Sequence, residues 1–435
     1  MRFIHAADIH LDSPLRGLEK YEGAPVDEIR GATRRALENL VELTLERQAD
    51  FLLIAGDLYD GDWQDHNTGL FFVAQMARLR EAEIPVVLIR GNHDAESRMT
   101  RSLLLPENVH MLSTRKAETC AAPRLEQLGV AVHGRSFAQA AERENLALDY
   151  PEARGGCFNI GLLHTSLDGR PDHDPYAPCT VDDLVAKGYD YWALGHIHQR
   201  EVLQQDPWIV FPGNLQGRHI RETGAKGCLI VEVDGRGKAS AEFEPLDVLR
   251  WRTCRLDAAE AEDGEALLGL FAQQLDDTLA EAEERLTALR VVVEGATAAH
   301  QQLAGDAPRW VNELRGVALD RASDRVWIER VKLQTRPRHD LSDLLQGDGP
   351  LGEMIRYVRQ LEQHPDELKP LTGFLDELRR KLPDEVFART DDPHADGLRI
   401  DDPQWLLQLA RDAEPLLVGR LQDHGGSAAA EEARA

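Results

Sequence analysis

The feature that most constrains the fold is the alternation of short apolar runs with amphipathic stretches along the first half of the chain. Arg2–Ala7 and Asp50–Ala55 are predicted strands, and Asp27–Arg47 between them carries apolar residues at helical spacing. A second helix is predicted over Gly69–Glu81. Such β-α-β units are typical of a sheet with helices packed on its faces, so the sequence predicts an α/β fold.

The pattern changes twice along the chain. Further strands are predicted over Pro85–Ile89, Val130–His133, Asn159–Leu163, Tyr191–Leu194, Trp208–Phe211 and Cys228–Val233. After a turn at Asp234–Lys238 the chain mixes strands with acidic helices, and later only helices are predicted, over Leu351–Leu361, Pro370–Leu382 and Gln404–Leu421. We therefore predict an α/β domain over residues 1–245, a small α/β domain over residues 246–340 and a helical region over residues 341–435, with disorder at Gly425–Ala435.

Composition excludes several classes of protein. The 435 residues include 50 Lys and Arg against 76 Asp and Glu, and the net charge of −26 disfavours broad coating by nucleic acid while leaving room for a localised metal site. Five scattered cysteines without a Cys-x-x-Cys pair indicate reduced thiols. The sequence shows no signal peptide and no apolar stretch of membrane-spanning length, so we expect no membrane association and a cytoplasmic location.

Oxygen and imidazole donors recur where the predicted strands end. They are Asp8 and His10, Asp57, Asn92-His93-Asp94, His164, and His196 and His198. Taken singly, each has an ordinary reading, such as a turn for Gly56-Asp57 or a core histidine for His164. Because the carboxyl ends of strands meet at one edge of an α/β sheet, the full set is expected to converge there.

Together and in this order, these residues resemble the calcineurin-like metallophosphoesterase superfamily. Its pattern of D-x-H, G-D, G-N-H-D, H and G-H-x-H is present within residues 1–235. The surrounding segments Ala6–Pro14, Ala55–Gly61 and Phe211–His219 resemble bacterial DNA-repair exonucleases of the SbcD and YhaO type, with the YhaO-like branch the nearer.

The resemblance implies a four-layer αββα sandwich with two divalent metal ions, usually Mn²⁺. It implies Asp8, His10 and His198 on one ion, Asn92, His164 and His196 on the other, and Asp57 between them. Carboxylate, imidazole and amide donors suit manganese or iron better than thiolate-seeking metals. A water molecule activated by both ions is the implied nucleophile for attack on phosphorus.

The resemblance also implies roles around the metals. His93 is expected to transfer a proton or stabilise the transition state, with Asp94 as an orienting carboxylate. Asp60 stands where archaeal and eukaryotic relatives usually carry a histidine that steers the substrate, so it is a candidate for substrate contact. Candidates for contact with flanking phosphates lie in a later loop, for which a plain surface loop is the alternative: Arg218, His219 and Arg221.

The function expected from this resemblance is a manganese-dependent DNA exonuclease or endonuclease that acts at DNA ends in repair. Residues 246–340 are expected to act as a capping domain, and the helical region 341–435 to bind an SMC-type ATPase subunit of the SbcC or YhaN kind. A second copy of the chain, forming a homodimer, is a further candidate partner. One alternative is a phosphodiesterase for a small or non-DNA phosphoester, and another is a partner-binding subunit of the ATPase with little activity alone.

Overall fold

The structure is a computed structural model. It describes residues 1–13, 31–60, 66–96, 104–168, 175–283, 285–322, 325–338, 350–363, 380–381 and 405–409. The disorder predicted for Gly425–Ala435 lies outside the described residues, as do most of the helices predicted over Pro370–Leu382 and Gln404–Leu421.

The first twelve strands form two six-stranded sheets. They are β1 (Arg2–Ala6), β2 (Phe51–Ala55), β3 (Val86–Ile89), β4 (Val109–Met111), β5 (Glu118–Thr119), β6 (Val130–Gly134), β7 (Phe158–His164), β8 (Tyr191–Gly195), β9 (Glu201–Gln205), β10 (Trp208–Phe211), β11 (Gly227–Val233) and β12 (Ala239–Pro245). The strand orders are β12-β11-β1-β2-β3-β4 and β5-β6-β7-β8-β10-β9.

Parallel pairing brings the carboxyl ends of the central strands together. β1 to β4 are mutually parallel, and so are β6, β7, β8 and β10. The inner faces of the two sheets bury one apolar core, in which Phe3 stacks on Phe51 at 4.9 Å between ring centroids and meets Tyr191 edge-on at 5.2 Å. Burial of each such aromatic side chain contributes about 2–3 kcal/mol.

Helices cover both outer faces. Among the described residues, five α-helices precede the third sheet: α1 (Ala32–Glu46), α2 (His66–Glu81), α3 (Asn92–Glu96), α4 (Pro123–Gln127) and α5 (Val181–Ala186). α1 and α2 bury Leu37, Leu40 and Phe72 against the first sheet. On the second sheet, the indole of Trp192 donates a hydrogen bond of 3.0 Å to the carbonyl of Leu184 in α5. The layers are thus helix, sheet, sheet and helix, which confirms the predicted α/β class.

The remaining described elements are β13 (Leu249–Asp257), α6 (Gly264–Ala280), β14 (Leu286–Thr297), α7 (His300–Gly305), α8 (Ala307–Ala322), β15 (Val326–Pro337) and α9 (Pro350–Gln363). The strands form a sheet in the order β13-β14-β15. One compact unit comprises the described residues within 1–253, 281–289 and 324–329, and the other comprises those within 254–280, 290–323 and 330–435. Within the second unit, Gly264 lies so close to Trp310 that a side chain there would overlap the indole. None of the described helices has the length and apolar character of a bilayer span.

Candidate metal centre

The seven predicted ligand residues meet at the carboxyl ends of five strands. Asp8 and His10 follow β1, Asp57 follows β2, Asn92 begins α3 after β3, His164 ends β7, and His196 and His198 follow β8. Asn92 and His198 are half-buried and the other five are buried. The convergence expected from strand ends is therefore present.

The first group consists of Asp8, His10 and His198, whose ligand atoms lie within 4.8 Å of one another. The Nε2 atoms of His10 and His198 face each other at 3.2 Å, and His198 Nε2 lies 4.0 Å from Asp8 Oδ1. These are the three residues predicted to share one ion. Two ring nitrogens and a carboxylate oxygen directed at one point form a suitable set of donors for a divalent cation.

The second group consists of Asp57, His164 and His196, again with ligand atoms within 4.8 Å of one another. His164 Nε2 lies 3.0 Å from Asn92 Oδ1 and 3.4 Å from Asp57 Oδ2. The same oxygen of Asp57 lies 3.9 Å from His10 Nε2 in the first group. Asp57 therefore lies between the two groups, in the place predicted for a bridging ligand.

The backbone at these residues is strained. Asp8, His10 and Asp57 have φ of 51°, 45° and 51°, and His196 has φ of 101°. Positive φ is uncommon for residues with a side chain and costs about 1–3 kcal/mol where it is held by its surroundings. The strained turns direct side chains from the ends of neighbouring strands toward a common centre.

Glycines in the motifs permit the close approach of these turns. Gly56 has φ of +93°, and a Cβ there would lie 2.5 Å from His164 Nδ1. At Gly195 a Cβ would overlap the carbonyl oxygen of Ala55. That same carbonyl accepts a hydrogen bond of 2.9 Å from His164 Nδ1. Packing around His164 therefore requires glycine at these positions of the G-D and G-H-x-H motifs.

Hydrogen bonds to the outer ring nitrogens leave the Nε2 atoms available for metal. His164 Nδ1 donates to the carbonyl of Ala55, and His198 Nδ1 donates to Glu222 Oε1 at 2.7 Å. Burial alone would raise the pKa of Glu222, but the bond from His198 and the charge of Arg218 hold it below its usual range. Sequence reasoning missed Glu222. Its only signal was an acidic residue in an otherwise basic loop.

Asp60 and His93 lie beside the first group. Asp60 Oδ1 is 3.1 Å from His93 Nδ1 and 3.5 Å from His10 Nδ1, and Ser13 Oγ donates to Asp60 Oδ2 at 2.6 Å. The backbone N–H of His93 donates to Asp57 Oδ1 at 3.0 Å. Burial would lower the pKa of His93, but the hydrogen bond to Asp60 outweighs it and raises the value. With 36% of its side chain exposed, His93 is accessible to a ligand.

Asp94 holds the backbone of the site. Its buried carboxylate accepts hydrogen bonds from the N–H groups of Leu58, Tyr59 and Gly91 at 2.9–3.1 Å. Burial and the charge of Asp57 raise its pKa to about 6. The carboxylate placed on the ring of His93 is that of Asp60, while Asp94 ties together the loops that follow β2 and β3.

The residues predicted to contact substrate lie at different depths. Arg218 is largely buried between Asp60 and Glu222, whereas His219 and Arg221 are exposed. His219 Nε2 lies 3.5 Å from Glu222 Oε1, at the edge of the site. Sequence reasoning also missed Tyr176, whose ring centroid is 5.5 Å from that of His196.

The donor set fits a pair of divalent cations. Burial and the charge of Arg218 lower the pKa of His10 to about 3. Burial would also lower the pKa of His164, but the charge of Asp57 raises it to about 9, so binding of a cation there would release a proton. Two cations would add charge that the buried carboxylates of Asp8 and Asp57 balance only in part. An anionic phosphoester would thus meet local positive charge from the cations, in a chain whose net charge is −26.

Comparison with known proteins agrees with this geometry. The family model for calcineurin-like phosphoesterases matches residues 1–200, and the model for the middle domain of metallophosphoesterase YhaO matches residues 251–336. The chain is 34% identical over 385 residues to the uncharacterized metallophosphoesterase YhaO of Bacillus subtilis (strain 168), with 84% of this chain and 91% of that protein covered.

Two solved structures are more distant. TT1561 of Thermus thermophilus is 15% identical and covers 56% of this chain and 98% of its own, with a TM-score of 0.32. A dimetal phosphatase from Danio rerio is 12% identical, covers 55% and 98%, and also has a TM-score of 0.32. The ligand geometry, the two family models and the similarity to YhaO together show that the chain belongs to the calcineurin-like metallophosphoesterases.

Proposed function

We propose that this metallophosphoesterase is a manganese-dependent nuclease that hydrolyses phosphodiester bonds at DNA ends during repair. The observation that carries the proposal is the complete set of ligands in two adjoining groups, with the accessible His93 beside them. Support for a DNA substrate comes from the segments that resemble repair exonucleases. Support for phosphoester hydrolysis comes from the family itself.

Each part of the site has a role in this reaction. Two divalent ions supply positive charge that polarises a phosphoryl group and makes a water molecule more acidic. The seven ligands hold those charges at the strand ends. His93, whose pKa is raised by the hydrogen bond to Asp60 against the effect of burial, donates a proton to the leaving oxygen. Asp94 keeps the two loops beneath His93 in place through three backbone N–H groups.

Contacts with the rest of the DNA are proposed at the edge of the centre. His219 and Arg221 are exposed there and meet phosphates that flank the scissile one. Arg218 and Asp60, the other two residues predicted to contact substrate, lie close to each other, with 3.6 Å between Arg218 Nη1 and Asp60 Oδ1.

The proposed setting is a cytoplasmic complex with an SMC-type ATPase. Residues 246–340 would act as the cap, and the helical region from residue 341 would contact the ATPase. Helix α9 buries Ile355 and Leu361 and exposes Tyr357, which leaves an aromatic side chain for a partner. Co-purification of the two subunits, with and without residues 341–435, tests this arrangement.

The enzymatic proposal is tested with an end-labelled duplex, its single strand and an aryl phosphodiester, each incubated with the full chain and Mn²⁺. We expect DNA degradation, and we expect His93→Asn to lower turnover by about 10²–10⁴-fold while bound manganese is unchanged. The matched control is His110→Asn, the same substitution at a half-buried histidine of β4 that is not one of the predicted ligands.

Other outcomes would point to the alternative functions. Hydrolysis of the aryl ester without DNA cleavage would favour a small phosphoester. Two bound manganese ions with no hydrolysis of any substrate would favour a subunit whose main work is to bind the ATPase.

A further inference from the structure

Arg218 lies between two carboxylates that each contact an imidazole of the same metal group. Its Nη1 is 3.6 Å from Asp60 Oδ1, and its Nη2 is 3.4 Å from Glu222 Oε1. Asp60 Oδ1 is 3.5 Å from His10 Nδ1, and Glu222 Oε1 is 2.7 Å from His198 Nδ1. Arg218 Nη2 also lies 3.4 Å from His198 Nδ1, so the guanidinium contacts one histidine of the first group directly and reaches the other through Asp60.

The second group is supported in a different way. The outer nitrogen of His164 donates to the backbone carbonyl of Ala55, which is fixed at the end of β2. The carbonyl of Ala55 is held in place by its strand. The carboxylates of Asp60 and Glu222 repel each other, so a cation between them stabilises their positions. The contacts of Arg218 therefore lead to one metal position and not equally to both.

We propose that Arg218 is a positioning residue for the first metal position. It bridges Asp60 and Glu222 and thereby holds His10 and His198 with their Nε2 atoms directed at one cation. The inference rests on the two-metal centre of the proposed function and is independent of which phosphoester is the substrate.

The chemistry of arginine suits this bridge. A guanidinium is a planar fork with several donors and can meet two carboxylates at once, whereas a lysine ammonium is a compact point charge on a flexible stem. Only 14% of the Arg218 side chain is exposed, so most of it is shielded from a passing phosphate. Glu222 also accepts from the Arg218 backbone N–H at 2.7 Å, and this bond survives any substitution of the side chain. A substitution of the side chain therefore acts on the contact with Asp60 and on the direct contact with His198 Nδ1.

The test measures metal binding without substrate. The full chain is stripped with EDTA and titrated with Mn²⁺, and free Mn²⁺ is followed by electron paramagnetic resonance to obtain the Kd of each site. His198→Gln removes a ligand of the first position and so identifies its Kd. For Arg218→Lys, which preserves charge, we expect about tenfold weaker binding at that position and no change at the other, in line with substitutions of outer partners of metal ligands.

The control is Arg236→Lys, the same substitution at an exposed turn residue, which should match the wild type at both sites. Equal weakening at both positions would overturn the inference, because it would indicate a general loss of structure. Two unchanged Kd values with a raised KM for substrate would also overturn it and would make Arg218 a substrate contact. Fewer than two manganese ions bound by the wild type would refute the two-metal centre itself.

A second measurement keeps the inference testable if Arg218→Lys changes stability. Asp60→Asn and the double variant complete a double-mutant cycle on the first Kd. If Arg218 and Asp60 act as a unit, the Kd of the double variant at the first position is close to that of the single variants. Full additivity would contradict the bridge.

Discussion

His5 provides a test of how the core between the sheets responds to pH. Its imidazole in β1 is fully buried, with Nδ1 3.0 Å from the Tyr191 hydroxyl and Nε2 3.2 Å from the carbonyl of Leu194. Burial lowers the pKa of His5 to about 3, and the hydrogen bond to Leu194 opposes this only in part. The folded protein therefore holds His5 neutral throughout the physiological range.

The expected magnitude follows from the two pKa values. In the unfolded chain His5 has an ordinary pKa of 6.5. Between pH 6.5 and pH 3 the unfolded state therefore binds a proton that the folded state does not. The free energy of unfolding must fall as pH decreases through this window, and a single such group removes about 2 kcal/mol between about pH 7.5 and about pH 5.

His5→Gln keeps polar atoms for both hydrogen bonds but cannot titrate. Over the same pH interval, we expect the free energy of unfolding of this variant to fall by about 2 kcal/mol less than that of the wild type. The assay is urea unfolding of the EDTA-stripped chain at several pH values, followed by tryptophan fluorescence. His110→Gln is the graded comparison, because burial lowers the pKa of this half-buried residue also and should give a smaller effect of the same sign. Parallel loss of stability in His5→Gln and wild type would refute the reasoning.

Two further substitutions test the backbone of the metal centre. Gly195→Ala places a Cβ on a carbonyl oxygen of β2, so urea unfolding should show a loss of about 1–3 kcal/mol. Gly235→Ala, where a Cβ meets no described atom within 4 Å, should show no comparable loss. Asp94→Asn puts an amide N–H against backbone donors and should cost about 2 kcal/mol in the same assay, with manganese affinity lowered as the two loops loosen.

The central strands were predictable because both of their faces are buried. β2, β3 and β8 have a fully buried pattern and appear in the sequence as continuous apolar runs. β9 and β12 were not predicted. None of their residues is fully buried, and these edge strands form by antiparallel pairing with β10 and β11. Local sequence therefore carries little signal for them.

The ligand positions were predictable because parallel strands end at the same edge, but the partners of the ligands were not. Glu222 reaches His198 across 24 residues, and Asp60 reaches Ser13 across 47 residues. Such contacts depend on how loops from different strands meet, which motif spacing does not encode. The same limit applies to Asp94, whose neighbour in sequence is His93 but whose carboxylate serves the backbone of two loops.

The strained backbone bears on whether the centre is catalytic or vestigial. Asp8, His10, Asp57 and His196 all have positive φ, and each such position costs about 1–3 kcal/mol relative to a relaxed backbone. A chain that served only to bind a partner would be more stable with glycine at these positions, because glycine adopts positive φ without steric cost. Instead, each position carries a side chain directed into one of the two groups of ligands. This balance of strain against coordination favours a centre that binds metal, which the proposed hydrolysis requires.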